Sequence, residues 1–302
     1  MSQSSSLRAI LYAFLANLGI AFAKLAAALY TGSGSMLAEA IHSFADSGNQ
    51  VLLWIGLRQS QRPADARHPL GYGKLSYFWS FIVALMLFSV GGLFSIYEGW
   101  NKLHAGEPLS RPWVALAVLA VSILLETFSL LGCLREIGKL RGGRSLRNWL
   151  RGTRNAELVV VLGEDVAALI GLVLAMGFVA LASITGESRY DAIGSILIGI
   201  VLVLVSIFVA LRMKSLIVGT SASEDFRAAL DSALASDSNI DAVLNAITLQ
   251  FGPKIMLAAK IRLRPGLSAD EAVVAINALE RELKAHLPEL GWCFIEPDVT
   301  DD

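Results

Sequence analysis

The chain has little charge and almost no cysteine. Charged residues make up 17% of its 302 positions, whereas 55% are hydrophobic and the mean hydropathy is +0.59, well above the values typical of soluble proteins. The two cysteines, Cys133 and Cys293, lie far apart in the sequence and give no indication of a disulfide framework. The composition therefore predicts a membrane protein, and nucleic acid is not a predicted partner.

The sequence also lacks the short motifs that identify many enzymes and pumps. Neither His-Glu-X-X-His nor Gly-X-Ser-X-Gly is present, which argues against a metalloprotease or a serine hydrolase. Gly71-X-Gly73-Lys74 is too short for a phosphate-binding loop, so an ATP-driven pump is not expected either. A proton-coupled secondary transporter needs only buried carboxylates and is compatible with the sequence. No enzymatic activity and no prosthetic group are predicted.

Long hydrophobic stretches account for most of the chain. A membrane-spanning helix needs about 20 mostly apolar residues, and six stretches meet this requirement, at about 8–30, 35–57, 76–100, 112–133, 157–183 and 190–213. From about Ser221 onward the pattern changes to short alternating and amphipathic segments. The predicted fold is a polytopic α-helical membrane protein, with six transmembrane helices in residues 1–219 and a cytoplasmic α+β domain in residues 220–302.

The basic residues between these stretches predict the orientation of the chain in the lipid bilayer. Four lie between Arg58 and Lys74 and seven between Arg135 and Arg154, and short loops rich in Lys and Arg stay in the cytoplasm. The loops after the third and fifth stretches should face outward. Both termini are then cytoplasmic, and the N-terminus shows no sign of a cleaved signal peptide. The expected location is the inner (plasma) membrane of a bacterium.

The C-terminal part differs from the rest in charge and in pattern. Residues 1–220 carry a net charge of +6 and residues 221–302 a net charge of −7, and the acidic surplus serves either solubility or the attraction of cations. Amphipathic helices are predicted near 222–235 and 269–286, with capping boxes that begin at Ser221 and Ser268. Strands are predicted at 243–250, 255–263 and 292–296.

The second hydrophobic stretch contains four polar residues that lipid should reject: Glu39, His42, Asp46 and Asn49. Their spacings of three, four and three residues place them on one face of a helix. Ionisable groups inside a membrane are costly and mark functional sites. An imidazole and a carboxylate one turn apart can hold one divalent cation, so this polar stripe indicates metal passing through a membrane. Glu39, which begins the stripe, is expected at a solvated outer rim.

Two adjacent carboxylates, Glu164 and Asp165, interrupt the fifth hydrophobic stretch. Counted from the cytoplasmic ends at about 1.5 Å per residue, Asp46 and Asp165 lie about 16 and 12 Å deep, so the two helices can meet at one ion. We predict a metal site of His42, Asp46 and Asp165, with Glu164 or Asn49 as a candidate fourth ligand. Such a set suits Zn²⁺ and would also bind Mn²⁺, Fe²⁺ or Co²⁺. Alternatively, Glu164 is structural or carries protons, and Asn49 bonds a neighbouring helix.

Two further ionisable groups lie in hydrophobic stretches, Lys24 in the first and Glu126 in the fourth. Lys24 is expected to pair with a carboxylate or to extend toward the membrane interface. Glu126 is a candidate counter-ion for Lys24 or a proton carrier. Both residues are therefore candidates for coupling charge or protons to transport.

At these positions the chain resembles the cation diffusion facilitator family of divalent-metal/proton antiporters. The similarity extends over nearly the whole chain: six spans, a cytoplasmic tail, the segment 37–46 in the second span, and the loop 67–74, which reads Arg-His-Pro-Leu-Gly-Tyr-Gly-Lys. The resemblance implies a homodimer that moves Zn²⁺ or a related cation out of the cytoplasm by alternating access, with a metallochaperone-like tail. It also implies a transport site at His42, Asp46 and Asp165.

Three positions differ from the family pattern. Many members have a histidine one turn before the fifth-span aspartate, where this chain has Val161, so either Glu164 compensates or the site has fewer protein ligands. Tyr72 replaces the second histidine of the loop and Phe294 a ligand of the tail, so neither region is expected to hold such a metal site. Tyr72 and the aromatic residues after it resemble the branch around zinc transporter 9. The alternatives are a non-transporting membrane metal sensor or scaffold, and an exporter of Mn²⁺ or Fe²⁺.

Overall fold

The computed structural model describes residues 3–105 and 111–301, and the side chains of these residues from Asn17 onward. The helices are α1 (Gln3–Thr31), α2 (Gly34–Ser60), α3 (Leu75–Met86), a π-helix (Leu87–Leu93), α4 (Phe94–Ala105), α5 (Pro112–Leu140), α6 (Leu146–Gly152), α7 (Ala156–Thr185), α8 (Arg189–Val218), α9 (Glu224–Ser236) and α10 (Ala269–His286). The strands are β1 (Ile240–Phe251), β2 (Lys254–Leu263) and β3 (Leu290–Pro297). The protein is thus mostly helical, with a small C-terminal sheet.

Four helical segments in the described part of the chain are long and apolar enough to cross a membrane: Leu75–Ala105, Pro112–Leu140, Ala156–Thr185 and Arg189–Val218. The first runs through α3, the π-helix and α4 without a break. α1 and α2 have 29 and 27 residues, which exceeds the about 20 residues that a span needs, but neither is among the four. In α2 the polar stripe lowers the hydropathy. Four of the six predicted spans are therefore supported.

The chain divides into two compact units. The helical unit contains the helices up to Gly56, Phe78–Arg144 and Ala156–Met213. The tail unit contains Leu57–Tyr77, Ser145–Asn155 and the chain from Lys214 onward. The tail unit therefore combines the C-terminal α+β domain with parts of the two basic loops that were predicted to be cytoplasmic.

Glycines let two segments of the helical unit approach one another closely. A Cβ added at Gly99 of α4 would lie 2.7 Å from the carbonyl oxygen of Ala192 in α8, and one added at Gly199 of α8 would lie 2.6 Å from the carbonyl oxygen of Gly92. No side chain fits at such distances, and small residues of this kind permit the close packing that holds membrane helices together. The segment Leu75–Ala105 and α8 are thus a close-packed pair.

The segment Leu75–Ala105 contains a π-helix in its middle, which no sequence pattern predicted. The Ser95 hydroxyl donates a hydrogen bond to the Gly91 carbonyl oxygen at 2.7 Å. π-Helical turns are rare and often occur at functional sites. A Cβ added at Gly91 would lie 3.9 Å from His42 Nδ1, so the π-helix lies beside the polar stripe of α2.

Asp191, in the first turn of α8, holds the N-terminus of α2. Its carboxylate accepts hydrogen bonds from Ser33 Oγ at 2.7 Å, Gly34 N at 2.6 Å and Ser35 N at 3.2 Å. Asp191 is 2% exposed, and Lys102 Nζ lies 4.0 Å from its Oδ2. A carboxylate in this position satisfies free N–H groups and interacts favourably with the helix dipole. We call these contacts the Asp191 clasp.

The C-terminal domain has the predicted order of helix, two strands, helix and strand. β1 and β2 are antiparallel, β2 and β3 are parallel, and the order in the sheet is β1-β2-β3. α9 and α10 pack on one face of the sheet, where a single cluster of apolar side chains is buried, including Phe226, Leu230, Leu257, Leu279 and Leu283. This core belongs to the domain alone.

One of the two predicted capping boxes is confirmed. The Ser268 side chain accepts a hydrogen bond from Glu271 N, and the Glu271 carboxylate accepts one from Ser268 N. The N-cap of α9 is Ser223, so the box predicted to begin at Ser221 is wrong. Ser221 Oγ lies 2.7 Å from Thr248 Oγ1 of β1 instead, because a tertiary partner is available to its hydroxyl.

Both basic loops contact the C-terminal domain within the tail unit. A Cβ added at Gly73 of the first loop would lie 2.6 Å from the carbonyl oxygen of Phe251, and just after this loop Tyr77 OH of α3 donates a hydrogen bond to the carbonyl oxygen of Gly252, in the β1–β2 turn, at 3.0 Å. Arg154 Nε donates one to the carbonyl oxygen of Ser221 at 2.9 Å. The residues of these loops that belong to the tail unit and the C-terminal domain therefore form one body.

Candidate metal-binding site

The polar stripe of α2 is buried in the helical unit. His42 is 1% exposed, and Glu39 and Asn49 are 0% exposed, while the Asp46 side chain retains 19% of its exposure. Buried polar groups cost free energy unless a partner compensates for the water they have lost. The partners of each side chain therefore indicate what the stripe can do.

His42 and Asp46 are neighbours across one helical turn. His42 Nε2 lies 3.4 Å from Asp46 Oδ2. Within the described residues, neither ring nitrogen of His42 nor Asp46 Oδ1 has a hydrogen-bond partner. Imidazole nitrogens and carboxylate oxygens are ligands that Zn²⁺ prefers. The two side chains are thus adjacent, and three of their polar atoms have no hydrogen-bond partner in the part of the chain that the structure describes.

Glu164 and Asp165 of α7 face different helices. Asn49 Nδ2 donates a hydrogen bond to Glu164 Oε1 at 2.7 Å, which joins α2 to α7. Ser129 Oγ of α5 donates one to Asp165 Oδ1 at 3.2 Å. Adjacent residues point about 100° apart on a helix, so the two carboxylates cannot face one helix together. Asn49 makes the interhelical bond considered for it, and α2 meets α7 through Glu164 rather than Asp165.

Several buried oxygen atoms of the helical unit have no hydrogen-bond donor among the described residues. Besides Asp46 Oδ1 they are Asn49 Oδ1, Ser80 Oγ, Asp165 Oδ2 and Glu39 Oε1. Buried polar atoms are almost always satisfied, and an exception requires an explanation such as a bound ion. Nowhere in the described residues, however, do three His, Cys, Asp or Glu side chains lie close enough to hold one metal ion. The predicted ligands therefore lie on α2 and α7 without surrounding one point.

Lys24 of α1 is fully buried, and its ammonium group reaches the polar stripe. Nζ lies 3.3 Å from Glu39 Oε2 and 2.8 Å from Ser43 Oγ. Lys24 thus pairs with a carboxylate, as expected, but with Glu39 instead of Glu126. The prediction of a solvated rim position for Glu39 is wrong, because the ammonium group compensates for the burial of its charge. Glu126 of α5 is partly buried and remains a candidate proton carrier.

Residues without charge shape the surroundings of the stripe, and sequence reasoning missed them. A Cβ added at Gly171 of α7 would lie 2.5 Å from Glu39 Oε1, so glycine makes room for that carboxylate. Ser43 bonds to Lys24, and Ser129 bonds to a carboxylate of α7. Of these residues, only Ser43 could have been found from the sequence, because it lies one turn after Glu39 on the same helix face.

Two further regions, the loop around Tyr72 and the tail around Cys293, lie outside the membrane helices. Tyr72 OH donates a hydrogen bond to Asp65 Oδ2 at 2.7 Å, and Asp65 Oδ1 accepts one from His68 N. The Tyr72 hydroxyl lowers the pKa of the Asp65 carboxyl below its ordinary value. In the tail, burial raises the pKa of the Cys293 thiol to about 11, so this thiol is protonated at neutral pH and is a poor zinc ligand.

Comparison with known proteins identifies the family of this chain. Residues 10–217 match the family model of the cation efflux transmembrane domain. Over 263 residues the chain is 35% identical to the proton-coupled zinc antiporter SLC30A9 of Xenopus laevis and 31% identical to that of Homo sapiens, both named as mitochondrial; the alignments cover 86% of this chain and 46% and 45% of those proteins.

A plant relative is similar to the same extent. The chain is 31% identical over 253 residues to metal tolerance protein C4 of Arabidopsis thaliana, which covers 83% of this chain and 54% of that protein. The chain thus spans about half the length of these relatives. The match to the transmembrane domain extends over more than half of this chain. The chain therefore belongs to the cation efflux family and is similar to its SLC30A9 branch.

Proposed function

We propose that the chain moves a divalent cation, with Zn²⁺ preferred, out of the cytoplasm by alternating access in exchange for protons. His42, Asp46 and Asp165 hold the cation in the middle of the membrane, with Glu164 or Asn49 as a candidate fourth ligand. Relatives named as proton-coupled zinc antiporters support the choice of cation and counter-ion. The observation that carries the proposal is the set of buried nitrogen and oxygen atoms on α2 and α7 that have no hydrogen-bond partner among the described residues.

Asp165 must change partner for this site to assemble. In the conformation described here its Oδ1 accepts a hydrogen bond from Ser129. A hydrogen bond to a charged group contributes about 1.5–3 kcal/mol, whereas a structural zinc site contributes about 10–16 kcal/mol. A bound cation can therefore displace Ser129 from Asp165. We assign the hydrogen bond between Ser129 and Asp165 to the metal-free state of the transport cycle.

The coupling to protons follows from the chemistry of the ligands. Imidazole and carboxylate groups must lose their protons before they bind a metal, so cation binding releases protons and proton binding releases the cation. An imidazole titrates near neutral pH in water, which makes His42 a candidate carrier. Glu126, Glu164 and Lys24 are further candidates for carrying or balancing the charge.

Other cations and one other function remain as alternatives. Mn²⁺, Fe²⁺ and Co²⁺ accept the same nitrogen and oxygen ligands, but Zn²⁺ binds such sites more tightly than Mn²⁺ or Fe²⁺. A membrane metal sensor or scaffold would use the same site to bind a cation without moving it. Transport across a sealed membrane separates these two functions.

The proposed topology has six spans, with both termini in the cytoplasm. α1 and α2 are included because of their lengths of 29 and 27 residues and because Lys24 and Glu39 are paired inside the helical unit. The tail unit brings residues of both basic loops together with the C-terminal domain, which supports one shared side. Basic loops stay in the cytoplasm, so we assign that side to the cytoplasm. A bacterial inner membrane stays the predicted location.

We further propose that the chain is a homodimer to which the C-terminal domain contributes. Leu279 and Leu283 of α10 are buried in the core of the domain, so they are not available for a dimer contact. Ile247, Ala258 and Phe294 form one row across the sheet, since they are paired in register, and Ile247 and Phe294 are 59% and 56% exposed. This apolar row lies on the sheet face opposite the helices and is a candidate dimer contact.

Residues 221–302 should dimerise without bound metal. His286 is the only histidine and Cys293 the only cysteine of this segment, and the raised pKa of the Cys293 thiol makes it a poor ligand. Sedimentation of the isolated segment in chelator should show a dimer, and calorimetry should show no zinc binding of micromolar affinity. Phe294→Ser should weaken the dimer, whereas the exposed Val299→Ser, outside the sheet, serves as the control. Zinc binding that controls the monomer–dimer equilibrium would contradict this expectation.

A pH gradient should drive zinc transport by the full chain in sealed vesicles. Protons bound on one side displace the cation there, and the return of the ligands to the other side carries the protons across. Zinc uptake at a clamped membrane potential should therefore rise when the gradient is imposed and stop when an ionophore dissipates it. Zinc binding without any uptake would favour the sensor, and uptake that ignores the gradient would favour a uniporter.

A further inference from the structure

The ion pair of Lys24 and Glu39 lies on the polar stripe, but the proposed transport site does not use it. Glu39 precedes His42 by three residues and Asp46 follows His42 by four. Residues at these spacings are neighbours on one helix face, so the position of His42 on α2 lies between those of two carboxylate residues. In the proposed topology Asp46 is on the cytoplasmic side of His42, and Glu39 is on the outer side.

The Glu39 carboxylate is only half satisfied. Oε2 is bonded to Lys24, whereas Oε1 has no hydrogen-bond partner within the described part of the chain, although the residue is 0% exposed. A buried ion pair stabilises a fold only when further hydrogen bonds satisfy its remaining lone pairs, and this one leaves a lone oxygen. Gly171 of α7 makes room beside that oxygen, because a Cβ there would lie 2.5 Å from it. Both nitrogens of His42 are also without partners among the described residues.

Lys24 brings a cation to this place on a flexible side chain. Its ammonium group is fully buried and bonds to Glu39 and to Ser43, one turn apart on α2. An ammonium group is a compact point charge on four rotatable carbons, without the fixed fork of a guanidinium group. It can therefore withdraw from a carboxylate when another cation approaches.

We propose that Glu39 and His42 form a second cation-binding position, one helical turn outward from His42 and Asp46, which the Lys24 ammonium group occupies when no metal is present. This inference rests on the proposed function and adds a step to it. The cation passes from Asp46 to Glu39 while His42 remains a ligand. Lys24 leaves Glu39 as the cation arrives and returns when the cation has left, so the charge of Glu39 is balanced without a proton.

Zinc binding to the purified full chain tests this step by calorimetry. Lys24→Met removes the competing ammonium group and keeps a side chain of similar length, so zinc should bind at least about tenfold more tightly, the scale on which groups next to metal ligands affect affinity. The double variant Lys24→Met/Glu39→Gln should lose this gain. A Lys24→Met variant that binds zinc no more tightly than the wild type, or a double variant that retains the gain, overturns the proposal.

A second measurement covers a failure of Lys24→Met to fold, since it leaves a buried carboxylate without its cation. Zinc-induced infrared difference spectra should contain a carboxylate band that Glu39→Gln removes and that Glu136→Gln, at an exposed carboxylate, retains. An unchanged spectrum in Glu39→Gln overturns the second position. Asp46→Ala in the same series tests the proposed function separately. If this variant binds zinc as the wild type does, the proposed site at His42 and Asp46 is wrong, and this conclusion does not depend on the result for Glu39→Gln.

Discussion

Asp46→Ala is expected to abolish zinc transport while the protein still folds. Asp46 supplies the carboxylate next to His42, and its Oδ1 has no hydrogen-bond partner to lose among the described residues. Groups that only orient a metal ligand are worth about 10–100-fold in metal affinity, so the loss of a ligand should lower zinc flux by more than about 100-fold. Asp165→Ala should have an effect of the same size. Zinc uptake into vesicles that contain the purified variants is the measurement.

The controls separate loss of the site from loss of the fold. Glu136→Gln removes an exposed carboxylate that forms an ion pair with Lys139, one turn away on α5, and should leave zinc flux unchanged. Ser129→Ala removes the partner of Asp165 but no ligand, so zinc should bind at least as tightly as to the wild type. All variants should elute as the wild type does in detergent. Wild-type flux in either aspartate variant would rule out the assigned site.

Asp191→Ala is expected to destabilise the helical unit strongly. The buried carboxylate of Asp191 accepts hydrogen bonds from three donors at the start of α2. Each buried donor left without a partner costs about 1–3 kcal/mol, and Lys102 would lose its nearby charge as well. With three such donors, the free energy of unfolding should fall by about 3 kcal/mol or more. The measurement is thermal unfolding in detergent, in which the midpoint temperature of Asp191→Ala should be lower than that of the wild type.

Two further variants, Asp191→Asn and Glu187→Gln, show whether the effect of Asp191→Ala comes from the lost hydrogen bonds. Asparagine keeps one oxygen that can accept hydrogen bonds. The midpoint temperature of thermal unfolding of Asp191→Asn should therefore lie between those of the wild type and Asp191→Ala. Glu187 is an exposed carboxylate just before α8, and its replacement should have no measurable effect. Equal midpoints for Asp191→Ala and the wild type would show that the Asp191 clasp does not hold α2.

The sequence predicted those features that depend on local spacing. The polar stripe of α2 followed from intervals of three and four residues, and the structure places Lys24 and Glu164 in contact with it. The strands and helices of the C-terminal domain followed from alternation and amphipathic periodicity, and Ser268 marked the start of α10. These signals are contained within a few neighbouring residues, so they can be read without knowledge of the tertiary structure.

Features that depend on distant contacts could not be predicted in this way. Ser33 and Asp191 are 158 positions apart, and no local pattern connects them. The direction of Asp165, toward α5 and not α2, depends on how α7 is rotated among its neighbours. The burial of Glu39 depends on an ammonium group from α1 and on the space beside Gly171. The π-helix likewise has no sequence signature other than two glycines in an apolar segment.

Simultaneous recording of zinc and protons in one preparation of sealed vesicles tests the proton-coupled transport site most directly. A zinc dye and a pH dye inside the vesicles would report both fluxes after zinc is added outside, at a clamped membrane potential. Zinc uptake should be accompanied by proton movement in the opposite direction in a constant ratio, and both signals should vanish in Asp46→Ala. Zinc uptake without proton movement, or both signals undiminished in Asp46→Ala, would contradict the proposed mechanism.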